Sequence, residues 1–143
     1  MSEREDFVAW TIREFRANHG RVGGPFAGAP LLLLHARGAR TGQERINPMM
    51  YLADGPRYVV FASKAGSDRN PDWYYNLLAH PTSVIEVGDE RIEVAATELH
   101  GAERDRLFDE QASRYPGFAA YQRKTRRVIP VVALTPVHSE TVP

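Results

Sequence analysis

The sequence predicts an α+β domain organised around one antiparallel sheet, and three observations carry that prediction. Short apolar runs follow one another across glycine- and proline-bearing turns, too closely for parallel crossovers, which need a dozen or more residues. Amphipathic helical segments stand at the start of the chain and in its last third. The length of 143 residues is that of one domain, and the 43% of apolar residues, spread along the whole chain, suffice for a core and argue against disorder. We therefore expect a single domain over 1–143, with an amphipathic helix within 1–19, a sheet-bearing core over 25–136 and a loose tail at 137–143. Closing the sheet into a small barrel would remove its exposed edges.

Each element has its own warrant. Ser2 followed by Glu5 reads as a capping box, and Phe7, Trp10, Ile12 and Phe15 recur at helical spacing, so a helix over 3–18 ends before Asn18-His19-Gly20. Its bulky face of Phe7, Trp10 and Phe15 suits packing over the sheet or contact with a membrane surface. Residues 20–30, with four glycines and two prolines, form a loop. The run 30–35 is a short strand, connected by 37–43 to a second strand over 44–52. The turn Asp54-Gly55-Pro56 then leads to a third strand over 57–63. A helix over 72–79 stops at His80-Pro81, and the strands 83–87 and 91–96 flank Gly88-Asp89-Glu90 as a hairpin. Residues 102–115 are charged and periodic, hence helical up to Pro116. A short helix over 118–125 and a closing strand over 131–135 complete five or six strands and three or four helices.

Composition narrows the chemistry. The 18 basic and 18 acidic residues cancel, so nothing global points to nucleic acid, and any cationic cluster is a local feature. All the basic residues except Lys64 and Lys124 are arginine, which suits bidentate contact with phosphate or carboxylate. The absence of cysteine excludes disulfides, thiolate catalysis and cysteine-ligated metal. The charged start has no signal-peptide core, and the longest apolar run, Leu31 to Leu34, is too short for a bilayer. A cytoplasmic protein is expected, with peripheral membrane contact through the first helix as its one route to a bilayer.

The densest polar signal is Arg37-x-x-Arg40-Thr41-Gly42-x-x-Arg45-x-Asn47-Pro48, followed by Ser63-Lys64-x-Gly66. Two glycine-bearing loops at strand ends can bring Arg40, Arg45 and Lys64 together with the hydroxyls of Thr41 and Ser63, the donor set a phosphate needs. A solvated cationic hairpin tip is the alternative. The spacing is neither a Walker A loop nor a dinucleotide fingerprint. In Asn70-Pro71-Asp72-Trp73-Tyr74-Tyr75-Asn76, Trp73 and Asn76 can line a flat ligand or simply pack on the sheet. Tyr115, Phe118 and Tyr121, spaced three apart, form either an aromatic wall or a core stripe. Arg126 and Arg127 read as surface residues. The five histidines are isolated, no metal-ligand spacing occurs, and Glu86 and Glu93 read as outward residues of strands. No serine lies in a nucleophile elbow. If the protein is an enzyme, its reactive group is borrowed from a cofactor.

The ordered set Leu31 to Leu34, Arg40-Thr41-Gly42-Gln43-x-Arg45-Ile46-Asn47-Pro48, Ser63-Lys64-x-Gly66, Asn70-Pro71-x-Trp73-Tyr74-x-Asn76-Leu77 and Tyr115-Pro116 through Ile129-Pro130-Val131 resembles the deazaflavin-dependent nitroreductase family of mycobacteria and related actinobacteria. The resemblance spans about residues 25–136. It implies a split β-barrel of FMN-binding-like type and a hydride donated by the reduced deazaflavin coenzyme F-420 to a small electron-poor acceptor. By that resemblance Arg40, Thr41, Arg45 and Lys64 surround the coenzyme's phosphate and acidic tail, and Asn47, Pro48, Ser63, Trp73 and Asn76 line or support its groove. Met50, Tyr115, Phe118 and Tyr121 fall on the substrate side, with Tyr121 and Tyr115 as the hydroxyls available to the reaction. The chain departs from the nitroimidazole-reducing member by carrying Met50 and Phe118 where that member has tyrosines. Those losses remove donors for a nitro oxygen and leave a quinone or an enone as the acceptor. The alternatives are an FMN-binding protein on the same barrel and a non-catalytic carrier of F-420 or a lipid-like ligand. Monomer and homodimer are both compatible with the pattern.

Overall fold

The computed structural model describes residues 2–137, so the expected loose tail lies, beyond Val137, outside the described residues. Seven strands form the sheet: β1 (Leu31–Arg37), β2 (Glu44–Met50), β3 (Leu52–Asp54), β4 (Arg57–Phe61), β5 (Thr82–Val87), β6 (Glu90–Leu99) and β7 (Val131–Pro136). They are antiparallel throughout, in the order β2-β1-β5-β6-β7-β4-β3. Four helices flank it: α1 (Glu3–Ala17), α2 (Asp72–Ala79), α3 (Gly101–Arg114) and α4 (Gly117–Arg123).

One expectation is corrected and another refined. The strand expected over 44–52 is two strands that part at Tyr51: β2 pairs with β1, and β3 turns away to pair with β4. The sheet forms the expected split β-barrel, but it curls without closing completely. The two edge strands, β2 and β3, are joined through Tyr51 alone, so the sheet must curl back until its ends nearly meet. Past Tyr51 they diverge, leaving a half-barrel with an open seam between β2 and the end of β4. The pairings that decide this, β1 with β5 and β4 with β7, join segments about 50 and 75 residues apart, beyond the reach of local turn logic.

The run of leucines in β1 is buried on both faces, which explains why it does not alternate. Leu32, Leu34 and Ala36 face the half-barrel interior with Val60, Ile85, Val94, Val132 and Leu134, under Tyr74 and Leu77 of α2. Leu31 and Leu33 face the other way, against Phe15 of α1, with Trp10, Ile12, Ile46 and Met50 around them. Helices α3 and α4 cover a third cluster containing Val59, Phe61, Leu107, Phe108 and Val131. The Ser2–Glu5 capping box forms as expected. Gly20 ends the α1 turn at φ +93, where an added Cβ would stand 2.8 Å from the Gly88 Cα; this close approach seats α1 against the β5–β6 turn.

The aromatic face of α1 is largely consumed by packing. Phe15 is 1% exposed and Trp10 half-buried, which leaves Phe7, stacked on Trp10 and Phe26, as the exposed ring. Among the described residues no helix is long and apolar enough to cross a membrane.

Candidate functional site

The open seam is a cleft of about 330 Å³, within the usual range of ligand pockets. β2 supplies Asn47, Pro48, Met49 and Met50; the end of β4 and the loop beyond it supply Phe61, Ser63, Lys64 and Ala65. Pro71, which caps α2, and Trp73 within it close one side, Phe118 and Tyr121 close it from α4, and Arg4 and Val8 from α1.

The β2 side is legible from its register. Tyr51 N–H donates to Pro30 O at 3.2 Å. That bond sets the alternation of the ladder: Met49, Asn47 and Arg45 turn their backbone groups toward β1, and Met50, Pro48 and Ile46 turn theirs to the open edge. Proline belongs at such a position because it has no N–H to leave unpaired. The pleat sorts the side chains, with Arg45, Asn47 and Met49 on the interior face and Ile46, Pro48 and Met50 beneath α1.

The opposite side is a strained loop. Ser63 is right-handed (φ −76, ψ −39), whereas Lys64 and Ala65 are left-handed at φ 45 and φ 53. A right-handed residue followed by a left-handed one turns successive N–H groups toward one side, the backbone arrangement that receives anions. Two non-glycine residues at positive φ cost about 1–2 kcal/mol each. Arg127 offsets this. Its guanidinium donates to the carbonyls of Ser67 (2.8 Å), Ala62 (3.1 Å) and Ser63 (2.8 Å) and to Asn70 Oδ1 (2.7 Å). Gly66 completes the loop at φ +82, where a Cβ would meet Tyr121 O at 2.9 Å. Arg127 is thus half-buried and structural, not the surface residue expected, and burial pulls its guanidinium below its ordinary pKa. Arg126 is exposed, as expected.

The structure brings Asn47, Pro48, Met50, Ser63, Lys64, Trp73, Phe118 and Tyr121 to this one cleft. Arg40, Thr41, Arg45, Asn76 and Tyr115 do not line it. Arg40 and Thr41 sit exposed on the β1–β2 hairpin tip, and Arg45 is exposed on β2, two residues or roughly 7 Å from Asn47. Asn76 is buried, and its Oδ1 accepts from Ala39 N–H at 3.0 Å, so it anchors the loop carrying Arg40. Tyr115 caps α3, and its carbonyl accepts from Phe118 N–H at 3.0 Å, which starts α4.

Among the described residues Arg4, Lys64, Arg40 and Arg45 have no carboxylate within ion-pair distance. The cleft lining therefore carries two cations, Arg4 and Lys64, and no acid. Sequence reasoning missed Arg4, Val8, Met49, Phe61, Ala65 and Pro71 as site residues. The available signal was Arg4 itself, a cation in a first turn otherwise made of Glu3, Glu5 and Asp6. A roomier hollow of about 790 Å³, between the α1 turn and residues 28–31, contains none of the expected site residues.

Away from the cleft, His35 is not isolated. It is buried on β1 between the flanking strands β2 and β5, with Nδ1 3.1 Å from Glu44 and Nε2 2.5 Å from Glu86. Glu86, expected to point outward, also receives Arg16 of α1 at 3.1 and 2.7 Å. The Arg16 guanidinium, and after it His35, hold the Glu86 carboxyl down to about 2 against the opposing effect of burial. Among the described residues no group of acidic or histidine side chains has the arrangement of a metal site.

Residues 8–136 match the model of a family described as F420H(2)-dependent quinone reductase. A Mycobacterium tuberculosis protein of that description is 42% identical over 128 residues, which cover 85% of this chain and 84% of that protein. Among solved structures, an F420-H2 dependent reductase (FDR-A) superposes with a TM-score of 0.68 at 37% identity, over 73% of this chain and 93% of that one. A protein solved as a domain-swapped dimer reaches 0.70 at 31% identity, over 93% and 99%. The haem storage protein HutZ of Vibrio cholerae gives 0.60 at 14% identity over 92% of each chain, a likeness of fold alone.

Proposed function

This chain belongs to the F420H(2)-dependent quinone reductase family, and from that premise we propose that the seam cleft is where it holds the reduced deazaflavin and its acceptor. The protein is an oxidoreductase that passes a hydride from F420H2 to a quinone-type small molecule. The observation that carries the site is the convergence of β2, the 63–66 loop, α2 and α4 on one aromatic-walled, acid-free opening. The residues present fit the coenzyme: a flat ring needs apolar walls, which Pro48, Trp73 and Phe61 offer, and a phosphate needs a cation and aligned N–H groups, which Lys64 and its loop offer.

When bound, the reduced deazaflavin supplies the hydride; everything else falls to the side chains. Lys64, the hydroxyl of Ser63 and the Asn47 amide hold and orient the coenzyme within the seam. Arg45, two residues from Asn47 on β2, and Arg40 and Thr41 on the hairpin tip beyond it are the groups left to take its acidic tail. Asn76 holds their loop through Ala39. Phe118 and Met50 shape the acceptor side without a hydroxyl, which favours a quinone over a nitro compound. The Tyr121 hydroxyl, or water at the mouth, delivers the proton, and Tyr115 positions α4. Monomer and homodimer are both compatible with this reading, and the domain-swapped dimer formed by a 31% identical protein supports the second. Peripheral membrane contact through α1 rests on Phe7 and is read by flotation with liposomes.

The test is a titration with oxidised F-420 and FMN side by side, in wild type, Lys64→Ala and Arg45→Ala, followed by rapid mixing of the reduced coenzyme complex with quinones. We expect F-420 to bind more tightly than FMN, and Lys64→Ala to weaken it by roughly 1–3 kcal/mol. Unchanged affinity in both variants rules out this placement of the coenzyme, and preference for FMN supports the flavin alternative. Tight binding without oxidation by any quinone identifies a carrier.

A further inference from the structure

We propose that Arg4 is the acceptor-side cation of the cleft, stabilising the negative charge that develops on a quinone oxygen during reduction; this rests on the proposed function of the cleft. Arg4 lines the same opening as Met50, Phe118 and Tyr121. Arg4 is exposed, so water accommodates its charge, but no partner among the described residues calls for one there. It stands in the first turn of α1, where a cation opposes the helix dipole and where its neighbours Glu3, Glu5 and Asp6 are all acidic. It makes no ion pair with any described carboxylate. Its backbone, however, is held in place. The capping box fixes the start of α1, Phe15 is 1% exposed in the core, and Arg16 binds Glu86 at 2.7 Å. Arg4 also precedes residues 8–136, the part of the chain matched to the family.

The chemistry gives such a group a role. A quinone that receives a hydride gains two electrons and one hydrogen and becomes a hydroquinone monoanion, leaving the coenzyme oxidised; its second hydrogen arrives as a proton from water or Tyr121. The monoanion carries its charge on oxygen, at the acceptor end of a cleft whose other cation, Lys64, belongs to the strained loop across the seam. A guanidinium there lowers the barrier most for acceptors whose monoanions are most basic, because those stabilise their own charge least.

The experiment uses 4-nitrophenol, a product-like phenol whose ionisation is read by absorbance, bound to protein carrying oxidised F-420 in the absence of any reductant. Wild type, Arg4→Ala and Arg4→Lys are compared. The phenol's pKa in the complex is expected to lie about one unit lower in wild type than in Arg4→Ala, with Arg4→Lys recovering part of the shift. The affinity for oxidised F-420 should be the same in all three. In turnover, Arg4→Ala should lose about tenfold in kcat on quinones with basic hydroquinone anions and little on strongly electron-poor ones. Equal phenol pKa values in the three proteins overturn the proposal, as does a rate loss uniform across the quinone series. Weaker F-420 binding in Arg4→Ala also overturns it, by making Arg4 a coenzyme contact. Failure of wild type to bind F-420, or to reduce any quinone, removes the proposed function of the cleft and this inference with it.

Discussion

Two loops in this protein carry the same sequence signature and are built in opposite ways. The 38–43 hairpin tip and the 63–66 loop both combine glycine, cation and hydroxyl at a strand end. The hairpin tip is exposed and tied to the body through the Ala39–Asn76 bond of 3.0 Å and the turn bonds within it. The 63–66 loop carries two strained non-glycine residues and is gripped from below by Arg127, which reaches Ala62, Ser63, Ser67 and Asn70 at once. Strain persists only where the surroundings over-determine it. The difference teaches that glycine with a cation marks a loop, whereas a buttress holds that loop in one shape, which is why we propose the second loop and not the first as the coenzyme's anchor.

The largest effect should come from removing the buttress. Arg127→Ala takes the guanidinium donor from the Ala62 and Ser67 carbonyls and Asn70 Oδ1, leaves Ser63 O only the Gly66 N–H, and frees the loop to relax. We expect about 3 kcal/mol lost from stability in urea unfolding, and loss of F-420 binding by more than tenfold. Arg127→Lys should fail to restore either, because an ammonium cannot span four acceptors spread around a planar fork. Normal binding in Arg127→Ala would break the comparison, since the loop would then hold its shape unaided.

Lys64→Ala comes next, acting on affinity without the accompanying loss of stability. Its expected cost of roughly 1–3 kcal/mol is that of one charge-assisted contact. A variant equally stable in urea but weaker in titration separates the side chain from the loop that presents it.

A third cluster is as well built as the Arg127 buttress but has no part in the cleft, and it sharpens the point from the other side. Glu86, tied to Arg16 and His35, joins α1 to the sheet. Its carboxyl is held to about 2 from an ordinary 4.5, so its stabilisation is complete above the ordinary value and fades as pH falls from about 4.5 toward 2. Arg16 is half-exposed and solvent screens the pair, so Glu86→Gln should cost about 1–2 kcal/mol at pH 7. Thermal melts of wild type and variant should converge as pH falls toward 2. A gap that persists there would place the cost in packing instead of charge.

Legibility in the sequence depends on how far each cause acts along the chain. Helix α1 with its capping box, the hairpins, and the Asn47-Pro48 and Ser63-Lys64 segments are set by residues within a few positions of one another, and they read directly. The Leu31–Leu34 run reads as a short apolar strand, but its burial on both faces depends on neighbours that sequence does not name. The break at Tyr51 cannot be read, because residues 44–52 alternate acceptably as one strand and only the distant pairing of β4 with β7 pulls β3 away. Arg127 looks like a surface residue for the same reason: its acceptors lie 57 to 65 positions earlier. Arg4 reaches the cleft through the docking of α1, which local periodicity predicts as packing without saying over what.

The smallest effect should appear at the hairpin tip, where the comparison is most easily broken. Arg40 is exposed and its loop is not over-determined, so a coenzyme tail meeting it finds a flexible cation in water, worth about 0.5 kcal/mol or less. Arg40→Ala should therefore weaken F-420 binding by less than about twofold at roughly 0.15 M salt and somewhat more at about 0.02 M, because screening shortens its reach as ions are added. Lys64→Ala should show the weaker salt dependence of a contact made inside a walled cleft. If instead Arg40→Ala costs as much as Lys64→Ala and is equally indifferent to salt, the tip must order around the tail when it binds. Its rigidity would then come from the ligand, and the absence of a buttress there would reflect a site completed by what it holds.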